Sequence, residues 1–353
     1  MLRQSLNCVC AAVLVLATAA AVGETAKQPD EDRVLSVADK FCETMVVPQD
    51  VQGTFTATLK NAGQTGWKTL TGFAGKALRG ESKTVDTKGV QQELEEDARL
   101  ELKRGNWLPM ATEVEYGRRS HELLVPTLMD RDGKLGKELY PRAAALLEEI
   151  KRGIEGSHDY KFVVFIREEP GFNAMALPGG YLYLDSGLLR DPAQYDKARF
   201  ALAHEIGHVL QRHETKELQG VIVDSYEDVK ELRTAIANSR NKAEQAAVLL
   251  KNVKISKDNY VLHTMEMELQ ADACSARLIY NAFPSGTEMS ASTKAFLNSL
   301  KAAPSTPTAP AAVPEFPSVM QEFVSLPEKR HPTSAERTDH LSKVQISLVA
   351  SVK

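Results

Sequence analysis

Residues 204–208 read His-Glu-Ile-Gly-His, and this stretch decides how the whole chain is interpreted. Residues four apart on an α-helix lie one above the other on the same face, so His204 and His208 can bind one metal ion together. Glu205 follows the first histidine, where its carboxylate can reach a water molecule on that ion. Neutral imidazoles are common zinc ligands, and a carboxylate of this kind is the usual general base. The sequence therefore predicts a helix that carries two zinc ligands and a catalytic base.

A catalytic zinc site needs a third protein ligand and keeps one position for water. In one known arrangement, a glycine three residues after the second histidine lets the chain turn back, and a third histidine follows three residues later. Here those two positions hold Gln211 and Glu214, and His213 comes one residue early. We therefore predict that His213 is a polar residue on the exposed face of the same helix, which continues to about Leu218.

A glutamate from a separate helix is the alternative third ligand. Residues 268–272 read Glu-Leu-Gln-Ala-Asp, so Glu268 and Asp272 share one helical face. Glu268 would bind zinc, and Asp272 would accept a hydrogen bond from the outer nitrogen of a ligand histidine and fix its tautomer. Ala271 is small enough to let two helices approach closely. Glu266 is the rival ligand, but it points to another side of the helix and is predicted to be a solvated charge.

Composition and charge are those of an ordinary folded domain. The chain has 353 residues, of which 43% are hydrophobic and 25% charged, so it can bury a substantial core. The formal net charge of -4 gives no electrostatic argument for an anionic partner. We therefore predict no nucleic-acid partner, and we leave peripheral membrane association and the oligomeric state open.

The N-terminal segment has the pattern of a secretory signal peptide. Arg3 precedes an apolar run over residues 8–22, and small residues at 21–23 precede Glu24. We expect a signal peptide over residues 1–23 and export of the protein, with the periplasm favoured over secretion or membrane attachment.

Two of the four cysteines lie beyond that segment. Cys42 and Cys274 could form a disulfide in an oxidising compartment or stay separate thiols, and the second alternative is slightly favoured.

Helical and extended segments follow one another from about residue 112. Apolar spacing predicts helices over residues 113–129 and 138–153 and a buried strand over 160–166. Pro178-Gly179-Gly180 then predicts a turn that is followed by another strand. Residues 24–110 carry no chemical motif, and residues 302–318 are Pro-rich and predicted to be a loop.

Four motifs in this order resemble those of metallopeptidase family M48, which includes the HtpX heat-shock protease and the CAAX prenyl endopeptidases. They are Asn-Ala-Met-Ala-Leu-Pro-Gly-Gly-Tyr at 173–181, Ala-His-Glu-Ile-Gly-His-Val-Leu-Gln-Arg-His at 203–213, the 268–272 segment, and His-Pro-Thr-Ser-Ala-Glu-Arg at 331–337. The resemblance implies an α+β fold, mostly α, with a gluzincin-type zinc peptidase domain. It places a small mixed sheet next to the HExxH helix and the domain at residues 111–349.

The resemblance also implies roles for individual residues. One zinc ion per chain would be bound by His204, His208 and Glu268. Either His331 or Arg337 would lie near the zinc and stabilise the oxyanion, and His331 could instead gate the metal. Substrate backbone would add as a strand beside one of two segments. These segments are Ala174, Met175, Ala176 and Leu177, or Tyr181–Leu184.

Two functions are consistent with these motifs, and both imply protein or peptide partners. The first is a zinc-dependent endopeptidase that cleaves misfolded or misassembled proteins of the cell envelope. The sequence predicts none of the membrane-spanning helices of the family's membrane branch. The second is a chaperone-like or assembly factor for envelope proteins with weak or latent proteolysis. A purely structural zinc would leave Glu205 without a purpose.

Overall fold

The computed structural model describes residues 106–156, 158–239, 243–253, 265–302 and 333–350, together with several helical positions between 92 and 103. Within these residues the chain is mostly helical and forms one three-stranded sheet, so the predicted α+β, mostly α fold class is confirmed. The helices are α1 (Met110–Leu124), α2 (Lys134–Lys151), α3 (Gly187–Arg190), α4 (Tyr195–Leu210), α5 (His213–Asp224), α6 (Val229–Ser239), α7 (Ala243–Leu249), α8 (Met265–Ala282), α9 (Thr287–Ala302) and α10 (Ser334–Ala350). The strands are β1 (Val163–Arg167), β2 (Ala174–Leu177) and β3 (Tyr181–Asp185).

The sheet is mixed and has the order β1-β3-β2. β1 runs parallel to β3, and β2 pairs antiparallel with β3 through a tight hairpin. Gly179 and Gly180 in the hairpin turn have φ angles of 85° and 96°, a region that favours glycine. The turn predicted from Pro178-Gly179-Gly180 is therefore confirmed.

α4 is the central helix and packs against α8, α9 and the edge strand β2. Apolar side chains such as Phe200, Leu202 and Ile206 are fully buried on different sides of the helix. A methyl group built on Gly207 would lie 3.2 Å from the carbonyl oxygen of Ala271 in α8, so the two backbones meet closely at this point. Because Gly207 and Ala271 are small, α4 and α8 can place their polar side chains against one another.

The predicted continuation of α4 to Leu218 is wrong. α4 ends at Leu210, and a new helix, α5, begins at His213. Arg212 between them has a φ of 56°, the one positive value at a non-glycine residue among the described positions. A non-glycine residue in this left-handed conformation costs about 1–3 kcal/mol, so other contacts must stabilise it.

A second apolar cluster lies under α5, α6 and α7. Trp107 and Leu108 are fully buried in it, and the carbonyl oxygen of the Gln219 side chain accepts hydrogen bonds from both of their backbone N–H groups. The packed region thus continues on the N-terminal side of residue 111, where the domain was predicted to start.

Several predictions concern residues outside the described part of the chain. These are the signal peptide, Cys42, most of the region over 24–110, residues 303–318 of the Pro-rich loop, and His331. Cys274, in contrast, is described: it is buried in α8 and disulfide-bonded, so the favoured alternative of a separate thiol is wrong. None of the helices in the described residues has the length and apolar character needed to cross a membrane.

Candidate metal centre

α4 and α8 bring two histidines and one glutamate together. The Nε2 atoms of His204 and His208 lie 2.9 Å apart. Oε2 of Glu268 lies 3.6 Å from Nε2 of His204, and Oε1 lies 3.7 Å from Nε2 of His208. All three side chains are buried. The three residues predicted as ligands from their spacing therefore meet at one point.

The donor atoms of this triad fit a zinc ion. Tetrahedral zinc with bonds of about 2.0–2.2 Å requires ligand atoms about 3.3–3.5 Å apart, and the three observed separations lie on both sides of that range. Two imidazoles and one glutamate, with a position left for water, are the donor set of several zinc hydrolases. In the described part of the chain, His204, His208 and Glu268 form a group of side chains that could hold a metal ion.

Asp272 supports His204 from the side away from the other two residues. Its Oδ1 atom lies 3.0 Å from Nδ1 of His204, in a bent rather than linear contact, and the carboxylate is completely buried. Burial lowers the pKa of His204, but the carboxylates of Asp272 and Glu268 outweigh burial and raise the pKa to about 10. The surroundings of His204 therefore favour a positive charge, which a metal ion can supply in place of a proton.

Arg337 from α10 lies among the acidic side chains of the site. Its Nε donates to Oδ2 of Asp272 at 2.7 Å, its Nη2 donates to Oδ1 at 2.5 Å, and its Nη1 lies 3.5 Å from Oε2 of Glu268. Burial alone would raise the pKa of Asp272, but Arg337 and His204 hold it below its usual value. This geometry is that of a positioning group, and the role of Arg337 at the oxyanion stays a prediction.

Glu205 is half-buried on α4 and follows His204 directly in the chain. Burial lowers the pKa of Arg337, but the negative charges of Asp272, Glu268 and Glu205 together raise it above the ordinary value. Glu205 thus lies within the electrostatic reach of the site, and its role as the catalytic base stays a prediction. The rival ligand Glu266 is exposed and accepts a hydrogen bond from Gln270.

His208 is supported by His213, whose predicted position is wrong. His213 was predicted to be exposed on the same helix, but it is fully buried and begins α5. Its Nδ1 lies 2.9 Å from Nδ1 of His208, and its Nε2 lies 3.2 Å from Oε1 of Gln270. On a continuous helix, residues five apart point about 140° away from each other. The break after α4 is therefore what brings the two rings together.

The side chain of Arg212 stabilises this break. It donates to Oδ1 of Asn106, to the carbonyl oxygen of Leu108 and to Oε2 of Glu113, at 2.7, 2.6 and 2.9 Å. Oε1 of Glu113 accepts the backbone N–H of Gly179, in the turn of the β2–β3 hairpin, at 3.1 Å. One buried ion pair thus attaches the end of the metal helix to the hairpin. No local sequence pattern predicts this ion pair, because the partners of Arg212 lie roughly 100 residues upstream.

Of the two segments predicted to bind substrate, Tyr181–Leu184 lies in β3, which is paired on both sides, whereas Ala174–Leu177 is β2. It forms an edge of the sheet and, in the described part of the chain, pairs with β3 on one side. Its residues are all half-buried, and the strand lies against α4. The structure therefore places an edge strand next to the helix that carries His204 and His208, while binding of a substrate there stays a prediction.

The comparison with known families agrees with this geometry. Residues 141–345, more than half of the chain, match the family described as "Peptidase family M48". The chain belongs to peptidase family M48. It is also 25% identical over 107 residues to the mitochondrial metalloendopeptidase OMA1 of Bos taurus. That alignment covers 30% of this chain and 20% of the relative, so the chain matches about a fifth of that protein's length. This match confirms the family that was predicted from the four sequence motifs.

Proposed function

We propose that this member of family M48 is a zinc-dependent endopeptidase. The observation that carries the proposal is the convergence of His204, His208 and Glu268, whose donor atoms all lie within 4.8 Å of one another in a buried position. These three side chains would hold the ion, with Asp272 keeping His204 in place. A zinc ion held there would polarise a water molecule and the carbonyl group of the substrate.

The remaining chemistry is assigned to the chain's own side chains. Glu205 would take a proton from the attacking water and return it to the leaving amine. The substrate backbone would extend the sheet beside Ala174–Leu177, which brings a peptide bond alongside α4. For stabilisation of negative charge on the carbonyl oxygen, His331 and Arg337 remain the proposed residues.

We also propose that the substrates are misfolded or misassembled proteins of the cell envelope. The apolar segment before residue 23 supports export to the periplasm. Cell fractionation, together with mass spectrometry of the N-terminus of the isolated protein, tests this placement. Recovery of the protein in the cytoplasm with an intact N-terminus would refute it.

Glu205→Gln separates catalysis from metal binding. We expect the variant to bind one zinc per chain while casein cleavage falls about 10²–10⁴-fold, the usual effect of losing a general base. Glu148→Gln on α2 is the matched control, since Glu148 is exposed and paired with Lys151, and its activity should equal that of the wild type. His204→Ala should lose zinc as well as activity. If Glu205→Gln held zinc and still cut casein at the wild-type rate, the proposed mechanism would be wrong.

A further inference from the structure

A chain of polar contacts leads away from His208 on the side opposite the metal position. Gln270 is its outer member, and two contacts define how its amide is oriented. The amide Nε2 donates to Oε1 of Glu266 at 3.1 Å, and a carboxylate can only accept at this position. The amide oxygen Oε1 therefore faces Nε2 of His213, 3.2 Å away. The side chain of Gln211 donates to the backbone oxygen of Gln270 at 3.1 Å and ties the end of α4 to α8.

This orientation determines the direction of every hydrogen bond that follows. Because Oε1 of Gln270 is an acceptor, Nε2 of His213 must carry the hydrogen. A neutral imidazole has one N–H group, so Nδ1 of His213 is an acceptor. The Nδ1 of His208, 2.9 Å away, must then be the donor. The proton of His208 thus lies on Nδ1, and the lone pair of its Nε2 faces His204 and Glu268.

We propose that His213, held by Gln270, is a positioning residue that fixes the tautomer of His208 for metal binding. The inference rests on the proposed zinc site, but it concerns metal affinity rather than peptide cleavage. We call the hydrogen bonds among His208, His213 and Gln270 the relay. If they ran in the opposite direction, the hydrogen of His208 would lie on Nε2, where it would block the atom that binds the metal. Partners of this kind typically change metal affinity about 10–100-fold when they are removed.

The local fold is consistent with a specific role for His213. The residue is fully buried, and it reaches His208 because Arg212 adopts the unfavourable left-handed conformation directly before it. The two histidines predicted as ligands are also supported in different ways. His204 lies against the charged pair of Asp272 and Arg337, whereas His208 contacts the ring of His213, which in turn contacts the amide of Gln270. On the His208 side, hydrogen-bond direction comes from His213 and Gln270, and Oε1 of Glu214 lies 4.0 Å from Nδ1 of His208.

Three substitutions of His213 distinguish this role from simple packing. Asparagine places an amide oxygen where Nδ1 lies, so His213→Asn can still accept from His208. Glutamine reaches only the position of Nε2, so His213→Gln keeps the contact with Gln270 and loses the one with His208. His213→Phe fills the space without any acceptor. The zinc dissociation constant of each full-length variant is measured by competition with a chromophoric chelator, and the melting temperature of the metal-free form reports on folding.

The three variants are expected to differ clearly in zinc affinity. His213→Asn should bind zinc within about threefold of the wild type, whereas the Gln and Phe variants should bind about 10–100-fold more weakly. Equal losses for Asn and Gln, or wild-type affinity for Phe, would overturn the proposal. If the His213 variants do not fold, Gln270→Met tests the same relay: at least threefold weaker zinc binding supports it, and unchanged affinity refutes it. The endopeptidase proposal can fail separately. In that case the His213 variants bind zinc in the expected order, but the wild-type protein shows no zinc-dependent cleavage.

Discussion

Replacing Arg337 with methionine should destabilise the protein strongly. Methionine keeps most of the length of the side chain and can still pack on Phe296, over whose ring the guanidinium lies at 4.6 Å. The substitution removes both hydrogen bonds to Asp272 and the positive charge 3.5 Å from Glu268. Asp272 is 0% exposed and Glu268 is 6% exposed, so neither carboxylate can recover the lost interaction from water.

The size of the effect follows from this burial. Removing one partner of a buried ion pair costs about 3–5 kcal/mol, since the remaining carboxylate has lost that partner and has no solvent to replace it. A loss of about 4 kcal/mol corresponds to a decrease of roughly 8–16 °C in the melting temperature of a domain of this size. Neutralising the carboxylate as well should restore part of the loss. In a double-mutant cycle, Arg337→Met with Asp272→Asn should therefore be less destabilised than the sum of the single variants by about 2 kcal/mol or more.

Urea unfolding followed by circular dichroism measures these free energies in the presence of EDTA, so that metal binding does not contribute. Arg118→Met is the matched control. Arg118 forms ion pairs with Glu115 and Glu122 on the exposed face of α1, and its loss should leave the melting temperature nearly unchanged. The reasoning is refuted if Arg337→Met unfolds within about 1 kcal/mol of the wild type, or if the two substitutions are additive.

Two further predictions concern helix packing and metal binding. Gly117→Ala should destabilise by about 2 kcal/mol, because a built Cβ lies 1.9 Å from the backbone oxygen of Pro178, whereas Gly220→Ala has open space in α5 and should stabilise by about 0.5–1 kcal/mol. Thermal melts of the pair check this, and shifts of the same sign would contradict it. Zinc affinity should rise about tenfold per pH unit from 7 towards 10, because His204, with its pKa raised to about 10, is protonated without metal and must release that proton. Chelator competition at several pH values measures the slope, and affinity independent of pH between 7 and 8.5 would refute it.

The part of the site that could be predicted from the sequence is the part encoded by local spacing. His204 and His208 are four residues apart, as are Glu268 and Asp272, and each pair shares a helical face whatever the rest of the chain does. The small residues at Gly207 and Ala271 then allow the two helices to meet. Helical periodicity and the two glycines of the hairpin likewise predict individual helices and the turn, whereas the fold class was implied by the resemblance to family M48.

His213 could not be placed, because its position depends on a contact that no local pattern contains. The helical pattern continues through residues 210–218, so local spacing predicts one helix and an exposed histidine. The chain instead breaks at Arg212, whose side chain binds Glu113 and neighbouring groups roughly 100 residues upstream. Gln270 could not be predicted for a related reason, since its amide gains a role only once His213 is buried beside it.

Glu113 connects the two halves of the proposed mechanism. One of its carboxylate oxygens binds Arg212 at the end of the metal helix, and the other accepts the backbone N–H of Gly179 in the hairpin turn. The same turn fixes the end of β2, the strand proposed to bind substrate. Glu113 therefore links the residue that follows α4 to the end of the edge strand, in addition to the packing of α4 on β2. Because an error of about 1 Å between substrate and catalytic groups can cost a hundredfold in rate, the pair of Glu113 and Arg212 should matter for cleavage although neither residue lies in the HExxH stretch at 204–208.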